Sequence, residues 1–100
     1  MKFENKVVII TGAARGLGQE YARQFARRGA RVVVCDIRDC SETLALIKEE
    51  GAAGLSVKTD VTSASSTVKM AEAAIDEFGG VDVLINNAGG QFPQAAIDFS

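Results

Sequence analysis

The stretch that decides the fold is Val7-Val-Ile-Ile-Thr-Gly-Ala-Ala-Arg-Gly-Leu-Gly18. It opens with a run of β-branched apolar residues, which is typical of a strand buried on both faces of a parallel sheet. A glycine-rich turn follows, and apolar residues then recur at helical spacing, at Leu17, Tyr21 and Phe25. A buried strand that turns through glycines into a helix presents unpaired N–H groups and the positive end of the helix dipole to one spot. Such a spot suits a pyrophosphate.

The glycines of this stretch have separable roles. Gly12 lets the chain turn sharply off the strand, with a positive φ. Gly16 keeps the surface bare so that a phosphate can reach the backbone, and Gly18 lets the helix pack closely on the sheet. The spacing differs from the commoner Gly-x-Gly-x-x-Gly, and a P-loop is excluded because no Gly-Lys-Ser/Thr follows. Taken alone, the pattern also fits a merely structural tight turn.

The same strand-helix unit recurs along the chain. After a first helix over about residues 16–28, the pattern predicts strands over Arg31–Asp36, residues 55–58 and residues 81–85. A second helix, capped by Asp39 or Ser41, stops at Gly51, and a third, capped by Thr62 or Ser63, stops at Gly79. The apolar face predicted for the third helix consists of Val68, Ala71, Ile75 and Phe78.

This alternation predicts an α/β fold, a partial Rossmann-type doubly wound parallel sheet with helices on both faces. Right-handed crossovers and the doubly wound pattern give the strand order 3-2-1-4. Because the order reverses between the first and fourth strands, a crevice opens at their carboxyl ends. The glycine stretch and Asn86–Gly89 both lie at those ends.

Asp36 ends the second strand, where a carboxylate can accept hydrogen bonds from both hydroxyls of an adenosine ribose. The same carboxylate repels the extra phosphate of NADP, so we expect NAD as the cofactor and NADP as the less favoured one. Arg15 and Arg38 oppose this preference, because either can reach a 2′-phosphate. A solvated turn aspartate is the alternative interpretation of Asp36.

Two further motifs follow the third and fourth strands. Asp60 and Val61 stand where a carboxylate can meet the adenine amino group and an apolar side chain can cover the ring, although Asp60 is equally well explained as a helix-entry residue. Asn86-Asn-Ala-Gly89 places carboxamides that can tie strand ends together, followed by small residues that leave room for a ribose. A plain turn is the alternative for this second motif.

With these four motifs in order, the chain closely resembles the classical short-chain dehydrogenase/reductase family over essentially its whole length. The resemblance implies an NAD(P)-dependent oxidoreductase that interconverts alcohols and carbonyls, or reduces an enoyl substrate. It implies a pyrophosphate and nicotinamide site at Gly12, Arg15, Gly16, Leu17 and Gly18. It further implies that the adenosine ribose is held by Asp36 and Ile37, the adenine by Asp60 and Val61, and the second ribose by Asn87, Ala88 and Gly89.

The family's catalytic Ser and Tyr-x-x-x-Lys pair are not found in this sequence. Tyr21 stands at a core-facing helical position, so it does not match that tyrosine. We therefore expect residues 1–100 to be the N-terminal NAD-binding part of a single Rossmann domain, with no catalytic residue and no activity by itself. A non-catalytic nucleotide-binding module and an inactive truncated fragment are the alternatives.

Two expectations concern the end of the chain. The fourth strand is expected to leave an uncovered apolar edge, which favours poor solubility, association or marginal folding of these residues alone. Residues 97–100 are expected to approach a helix.

Composition narrows the class of protein further. A net charge of −2 and a pI near 5.0 argue against nucleic-acid and membrane-surface partners. Two cysteines are too few for a disulfide framework, so we expect reduced thiols and a cytoplasmic location. Histidine is absent, and we expect no metal site. The expected partners are a small-molecule alcohol or carbonyl substrate and further copies of the chain in a homo-oligomer.

Overall fold

The structure, a computed structural model, describes residues 2–87 and the strand formed by residues 97 and 98. The strands are β1 (Val7–Thr11), β2 (Arg31–Asp36), β3 (Gly54–Lys58), β4 (Val83–Asn86) and β5 (Ile97–Asp98). The helices are α1 (Gly16–Arg27), α2 (Ser41–Glu49) and α3 (Ala64–Phe78).

The strands form one sheet in the order β3-β2-β1-β4-β5, and the first four run parallel. The predicted order 3-2-1-4 is therefore confirmed. The predicted approach to a helix is wrong at Ile97 and Asp98, which form an antiparallel strand, while residues 99 and 100 lie outside the described part of the chain. The predicted uncovered edge of β4 is wrong at Val83 and Leu84, with which that strand pairs. The unpaired N–H and C=O groups of an edge strand are a ready template for such pairing.

The core lies on both faces of the sheet, because successive side chains of β1 point to opposite faces. Val8 and Ile10 pack in a cluster with residues of α1 and α2, including Ala22 and Ile47. On the other face, Val7 and Ile9 share a cluster with α3 residues Met70 and Ala74. Helices thus cover both faces, as the sequence predicts.

The apolar face predicted for α3 is only partly right. Met70 and Ala74 are the buried residues of this helix, and Phe78 packs beside them. Val68 and Ile75 are instead 57% and 51% exposed. Residues four apart, such as 70, 74 and 78, form a helical row as good as the predicted one, so helical spacing alone did not choose between the two rows.

The helix ends settle two alternatives that the sequence leaves open. Ser63 caps α3, since its Oγ accepts a hydrogen bond from the Ser66 N–H at 3.3 Å. At α2 the predicted caps Asp39 and Ser41 are both wrong, because the N-cap residue is Cys40 and it makes no side-chain cap. Asp39 precedes the N-cap, and its Oδ1 accepts from the N–H of Ser41, the first helical residue, at 3.2 Å. Gly79 ends α3 with φ of 86°, in the left-handed region that favours glycine.

Arginines of α1 are held by carboxylates. Arg23 pairs with Glu20 at 2.8 Å, and Arg27 pairs with Glu50 at 3.2 Å. Within residues 2–87 and 97–98, no helix has both the length and the apolar character that crossing a membrane requires.

The buried position of Ile10 leads to a stability prediction. Ile10→Ala leaves a cavity beside α1 and α2, and we expect it to lower the free energy of unfolding by about 2–5 kcal/mol. Ile75→Ala makes the same substitution at a half-exposed position of α3, and we expect a change within about 0.5 kcal/mol. Urea denaturation followed by circular dichroism measures both, and equal losses would contradict the assignment of the core.

Candidate functional site

A cavity of about 470 Å³ lies at the carboxyl ends of the parallel strands. Its position is the switch point of the sheet, where β1 has β2 on one side and β4 on the other. Its volume falls in the range of small-molecule sites. The residues that line it come from the carboxyl ends of the four parallel strands and the segments that follow them: Gly12, Arg15, Gly16, Asp36, Ile37, Arg38, Thr59, Asp60, Val61, Thr62 and Asn87.

Among the described residues, those predicted from the sequence all line this cavity except Leu17 and Gly18. Leu17 is 59% exposed and does not line the cavity, whereas Gly18 is buried. The predicted residues Ala88 and Gly89 lie outside the part of the chain that the structure describes.

Sequence reasoning missed Thr59 and Thr62, which flank the predicted pair Asp60 and Val61. Their place immediately after β3 was the available signal. Arg38, which the sequence suggested only as a contact for a 2′-phosphate, also lines the cavity.

The glycine turn leaves the start of α1 open. Gly12 and Gly16 have φ of 64° and 61°, so the predicted positive φ of Gly12 is confirmed. Arg15, the residue before the helix, is extended and makes no side-chain cap, and the first turn of α1 holds no acidic residue. Backbone N–H groups and the positive end of the helix dipole are therefore not occupied by a side chain of the helix itself.

Gly18 allows a close approach between α1 and the glycine turn. A Cβ at this position would collide with the Gly12 carbonyl oxygen and would lie 2.8 Å from Nδ2 of Asn87. Neither neighbour is the free end of a flexible side chain, because one is backbone and the other is itself hydrogen-bonded to Gly12. Gly18 therefore contributes to the site by letting α1 pack directly against the glycine turn.

We expect Gly18→Ala to lower the free energy of unfolding by about 1–3 kcal/mol or more, because the added methyl group forces the helix away from the turn. Gly80→Ala is the matched control, since a Cβ there meets no atom of the described residues within 4 Å. Urea midpoints measure both variants. Equal stability of the two variants would contradict the close approach at Gly18.

Two asparagines at the carboxyl end of β4, Asn86 and Asn87, tie that strand to β1. Thr11 Oγ1 donates to Oδ1 of Asn86 at 3.0 Å and accepts from the N–H of Asn87 at 2.9 Å. Asn87 Nδ2 donates to the Gly12 carbonyl at 3.3 Å. As the sequence suggested, these carboxamides fix neighbouring strand ends to each other, and they do so at the edge of the cavity.

The carboxylate of Asp36 is buried, with 6% of its side chain exposed, and both of its oxygens are held by backbone. Oδ2 accepts from the N–H of Ala14 at 3.0 Å, and Oδ1 accepts from the N–H of Arg38 at 3.0 Å. The Arg38 guanidinium is 3.8 Å from Oδ1 but 56% exposed, so this ion pair contributes little to stability. Each carboxylate oxygen retains capacity for a further donor.

Asp60 has a different environment. Its Oδ1 accepts from the Thr62 hydroxyl at 2.6 Å and from the Thr62 N–H at 2.9 Å. These hydrogen bonds, that of the hydroxyl first, lower the pKa of the carboxyl below its usual value. Its own N–H donates to Ser66 Oγ at 2.8 Å, which anchors the turn to α3. The side chain is therefore an ionised acceptor at neutral pH.

Removing the Thr62 hydroxyl tests this cause. In Thr62→Val we expect the pKa of Asp60 to rise towards its ordinary value, as followed by the carboxyl carbon shift in an NMR pH titration. Because folding lowers the pKa of Asp60, its carboxylate stabilises the folded chain at neutral pH. This stabilisation is lost as the pH falls through the pKa of the folded state. In Thr62→Val we therefore expect the free energy of unfolding to depend less on pH in that range. Thr67→Val, on α3, should leave the titration unchanged. An unshifted pKa in Thr62→Val would refute the stated cause.

The thiols are unsuited to nucleophilic chemistry. Cys35 and Cys40 are both buried and free. Burial raises the pKa of Cys35 to about 12 and that of Cys40 to about 11. Since the thiolate is the reactive form, both side chains act as small apolar residues.

A parallel sheet in the order 3-2-1-4, with a glycine turn and a cavity at its switch point, defines an α/β protein of the Rossmann type. The chain belongs to the short-chain dehydrogenase family. The sequence model of that family, described as short chain dehydrogenase, matches residues 6–100.

Individual relatives agree with this assignment. The chain is 43% identical over 88 residues to galactitol 2-dehydrogenase of Agrobacterium fabrum, covering 88% of this chain and 34% of that protein. It is 38% identical over 96 residues to 7alpha-hydroxysteroid dehydrogenase of Escherichia coli, covering 94% of this chain and 38% of that one. A crystal structure of hydroxysteroid dehydrogenase from Escherichia coli matches with a TM-score of 0.85 and 39% identity, over 92% of this chain and 40% of that one. The chain thus spans well under half the length of these relatives.

Proposed function

We propose that residues 1–100 are the N-terminal NAD-binding part of a single Rossmann domain. The whole protein would transfer a hydride between the nicotinamide and an alcohol or carbonyl carbon of a small molecule. The observation that carries this proposal is the cavity at the switch point. It unites the open start of α1, a buried carboxylate at the end of β2 and polar residues after β3 and β4. Membership of a dehydrogenase family supports the reaction class.

The glycine turn suits the pyrophosphate. Gly12, Arg15 and Gly16 line the cavity, and α1 begins there without a side-chain cap. An anion at this place meets backbone donors, the helix dipole and the charge of Arg15. Leu17, exposed beside the turn, is proposed to lie towards the nicotinamide, and Gly18 holds the turn in shape.

Asp36 and Ile37 are proposed to hold the adenosine ribose. The remaining acceptor capacity of the Asp36 carboxylate suits two ribose hydroxyls, and its charge opposes a 2′-phosphate. Arg15 and Arg38 line the same cavity and reduce this repulsion. NAD is therefore the proposed cofactor, and the discrimination against NADP is expected to be moderate.

The remaining predicted residues complete the proposed cofactor site. Asp60 suits the adenine amino group because it is an ionised acceptor, and Val61, 40% exposed, can cover the ring. Asn87 is proposed to meet the second ribose, together with Ala88 and Gly89. The bound cofactor supplies the hydride acceptor or donor, while these residues bind and orient it.

We assign no catalytic role to any of residues 1–100. The carboxylates in the cavity, Asp36 and Asp60, are committed to backbone and hydroxyl donors, which suits binding. Tyr21 packs against the core cluster on α1. We propose that proton transfer falls to residues outside these 100, in keeping with the greater length of the relatives.

Two further proposals concern the setting of the protein. Buried free thiols suit a reducing compartment, which supports a cytoplasmic location. The exposed side chains of Val68 and Ile75 on α3 support association into a homo-oligomer.

The test is a titration of the purified chain with NADH, followed by nicotinamide fluorescence, and repeated with NADPH. We expect saturable binding that favours NADH. In Asp36→Ala the loss of charge-assisted hydrogen bonds should weaken NADH binding by about tenfold or more. NADPH should lose less, because the repulsion of its 2′-phosphate disappears with the carboxylate, so the gap between the cofactors narrows.

Asp76→Ala, at an exposed position of α3, is the matched control and should bind both cofactors like the unchanged chain. If the folded chain bound neither cofactor, the proposed function would be wrong for these residues. If Asp36→Ala weakened NADH and NADPH equally, the role of Asp36 in discrimination would be wrong.

A further inference from the structure

We infer that Thr43 and Gln19 form a clamp that orients the backbone of the glycine turn from behind. The clamp consists of these two side chains and the two carbonyl groups that they bind, those of Ala13 and Ala14. Neither side chain lines the cavity. Both are therefore positioning residues, and the inference rests on the proposed function for its effect on ligand binding.

Ala13 and Ala14 lie between the two positive-φ glycines of the turn, and all four of their backbone polar groups are paired. The N–H of Ala13 donates to the carbonyl of Cys35 at 3.1 Å, and that of Ala14 donates to the Asp36 carboxylate at 3.0 Å. Their carbonyls accept from Thr43 and Gln19, which belong to α2 and α1. The turn is thus held by three different elements, β2, α1 and α2.

Thr43 is the centre of the clamp. It is 0% exposed, and its hydroxyl donates to the Ala13 carbonyl at 2.6 Å. The same oxygen accepts from Gln19 Nε2 at 3.1 Å, so the hydroxyl acts as donor and acceptor at once. A buried hydroxyl with both functions engaged has one orientation, which fixes the carbonyl in front of it.

Gln19 extends the clamp to the next peptide. Its Nε2 donates to the Ala14 carbonyl at 3.2 Å as well as to Thr43. A trans peptide is planar, with C=O and N–H pointing in opposite directions. Holding the Ala14 carbonyl towards α1 and α2 therefore sets the direction of the Arg15 N–H, in the segment that lines the cavity. By the same geometry, Thr43 sets the direction of the Ala14 N–H, which binds Asp36.

The experiment compares two ligands and five variants. Gln19→Met and Thr43→Val remove the donors at nearly constant volume, and Thr43→Ser keeps the hydroxyl. Gln24→Met, on the same helix, and Thr67→Val, whose hydroxyl donates to the Ser63 carbonyl at 3.0 Å, are the matched controls. The ligands are ADP, which carries a pyrophosphate, and adenosine, which carries none. Calorimetry measures ADP binding, and ligand-observed NMR measures adenosine binding.

We expect Gln19→Met and Thr43→Val each to weaken ADP binding by about two- to tenfold, the effect of losing one hydrogen bond. In Gln19→Met adenosine binding should change by less than about twofold, because this side chain holds the Ala14 carbonyl and not the Ala14 N–H that binds Asp36. The two controls should bind both ligands normally. Thr43→Ser, which keeps the hydroxyl, should bind ADP like the unchanged chain. The clamp would be overturned by unchanged ADP binding in Gln19→Met and Thr43→Val, or by an equal loss of ADP and adenosine binding in Gln19→Met. Weakened ADP binding in Thr43→Ser would overturn it as well.

Amide hydrogen exchange tests the clamp without a ligand. In Thr43→Val we expect the Ala14 amide to exchange about two- to tenfold faster than in the unchanged chain, and Thr67→Val to leave it unaltered. An unchanged rate overturns the clamp. If the unchanged chain bound neither ADP nor NADH, the proposed function would fail and this rate alone would decide. If Thr43→Val did not fold, the comparison of Gln19→Met with Gln24→Met would decide.

Discussion

The pairing of β1 with a parallel strand on each side is the constraint on which the rest of the structure depends. β1 pairs with β2 and with β4 in register, and all five of its residues are buried. Because β1 is paired along both edges and covered on both faces, the chain that leaves it turns at the carboxyl end of the sheet. Parallel strands bring their carboxyl ends to one side. The cavity follows from that geometry, because the segments after the four parallel strands all leave the sheet on that side and lie close together.

Asp36 serves both the fold and the proposed chemistry. Its carboxylate braces the glycine turn through the Ala14 N–H and shapes its own loop through the Arg38 N–H. A ligand hydroxyl that binds this carboxylate therefore meets an acceptor whose position backbone donors have already fixed. Such preorganisation lowers the ordering required on binding. It also means that a substitution at Asp36 changes the turn together with the charge, so a change in cofactor preference includes a structural part.

Much of the fold followed from local sequence. The β-branched runs of β1 and β2, together with glycines at helix ends such as Gly79, placed the parallel strands and the helices with small errors at their ends. Alternation of strands and helices, with right-handed crossovers, then indicated the strand order 3-2-1-4. The buried row of α3 did not follow, because two rows of apolar residues compete on that helix and only contact with the sheet selects Met70 and Ala74. The strand at Ile97 and Asp98 depends on pairing with β4, which local pattern does not contain.

The two ends of the cavity differ in what they are built from, because one consists of backbone groups and the other of side chains. The end proposed to bind phosphate is built from main-chain groups of the glycine turn, so what matters there is the shape that Gly12, Gly16 and Gly18 permit. Glycine spacing predicted the shape of the turn, with its positive φ at Gly12 and close packing at Gly18. The support behind the turn, from Thr43 and Gln19, carried no recognisable motif because any buried donor of suitable length can hold a carbonyl. At the other end the cavity is lined by charged and polar side chains such as Asp36, Arg38 and Asp60. On the proposed function, substitutions at Arg38 and Asp60 are expected to change which nucleotide binds while leaving the sheet and its glycine turn in place, whereas those at Asp36 also act on the turn.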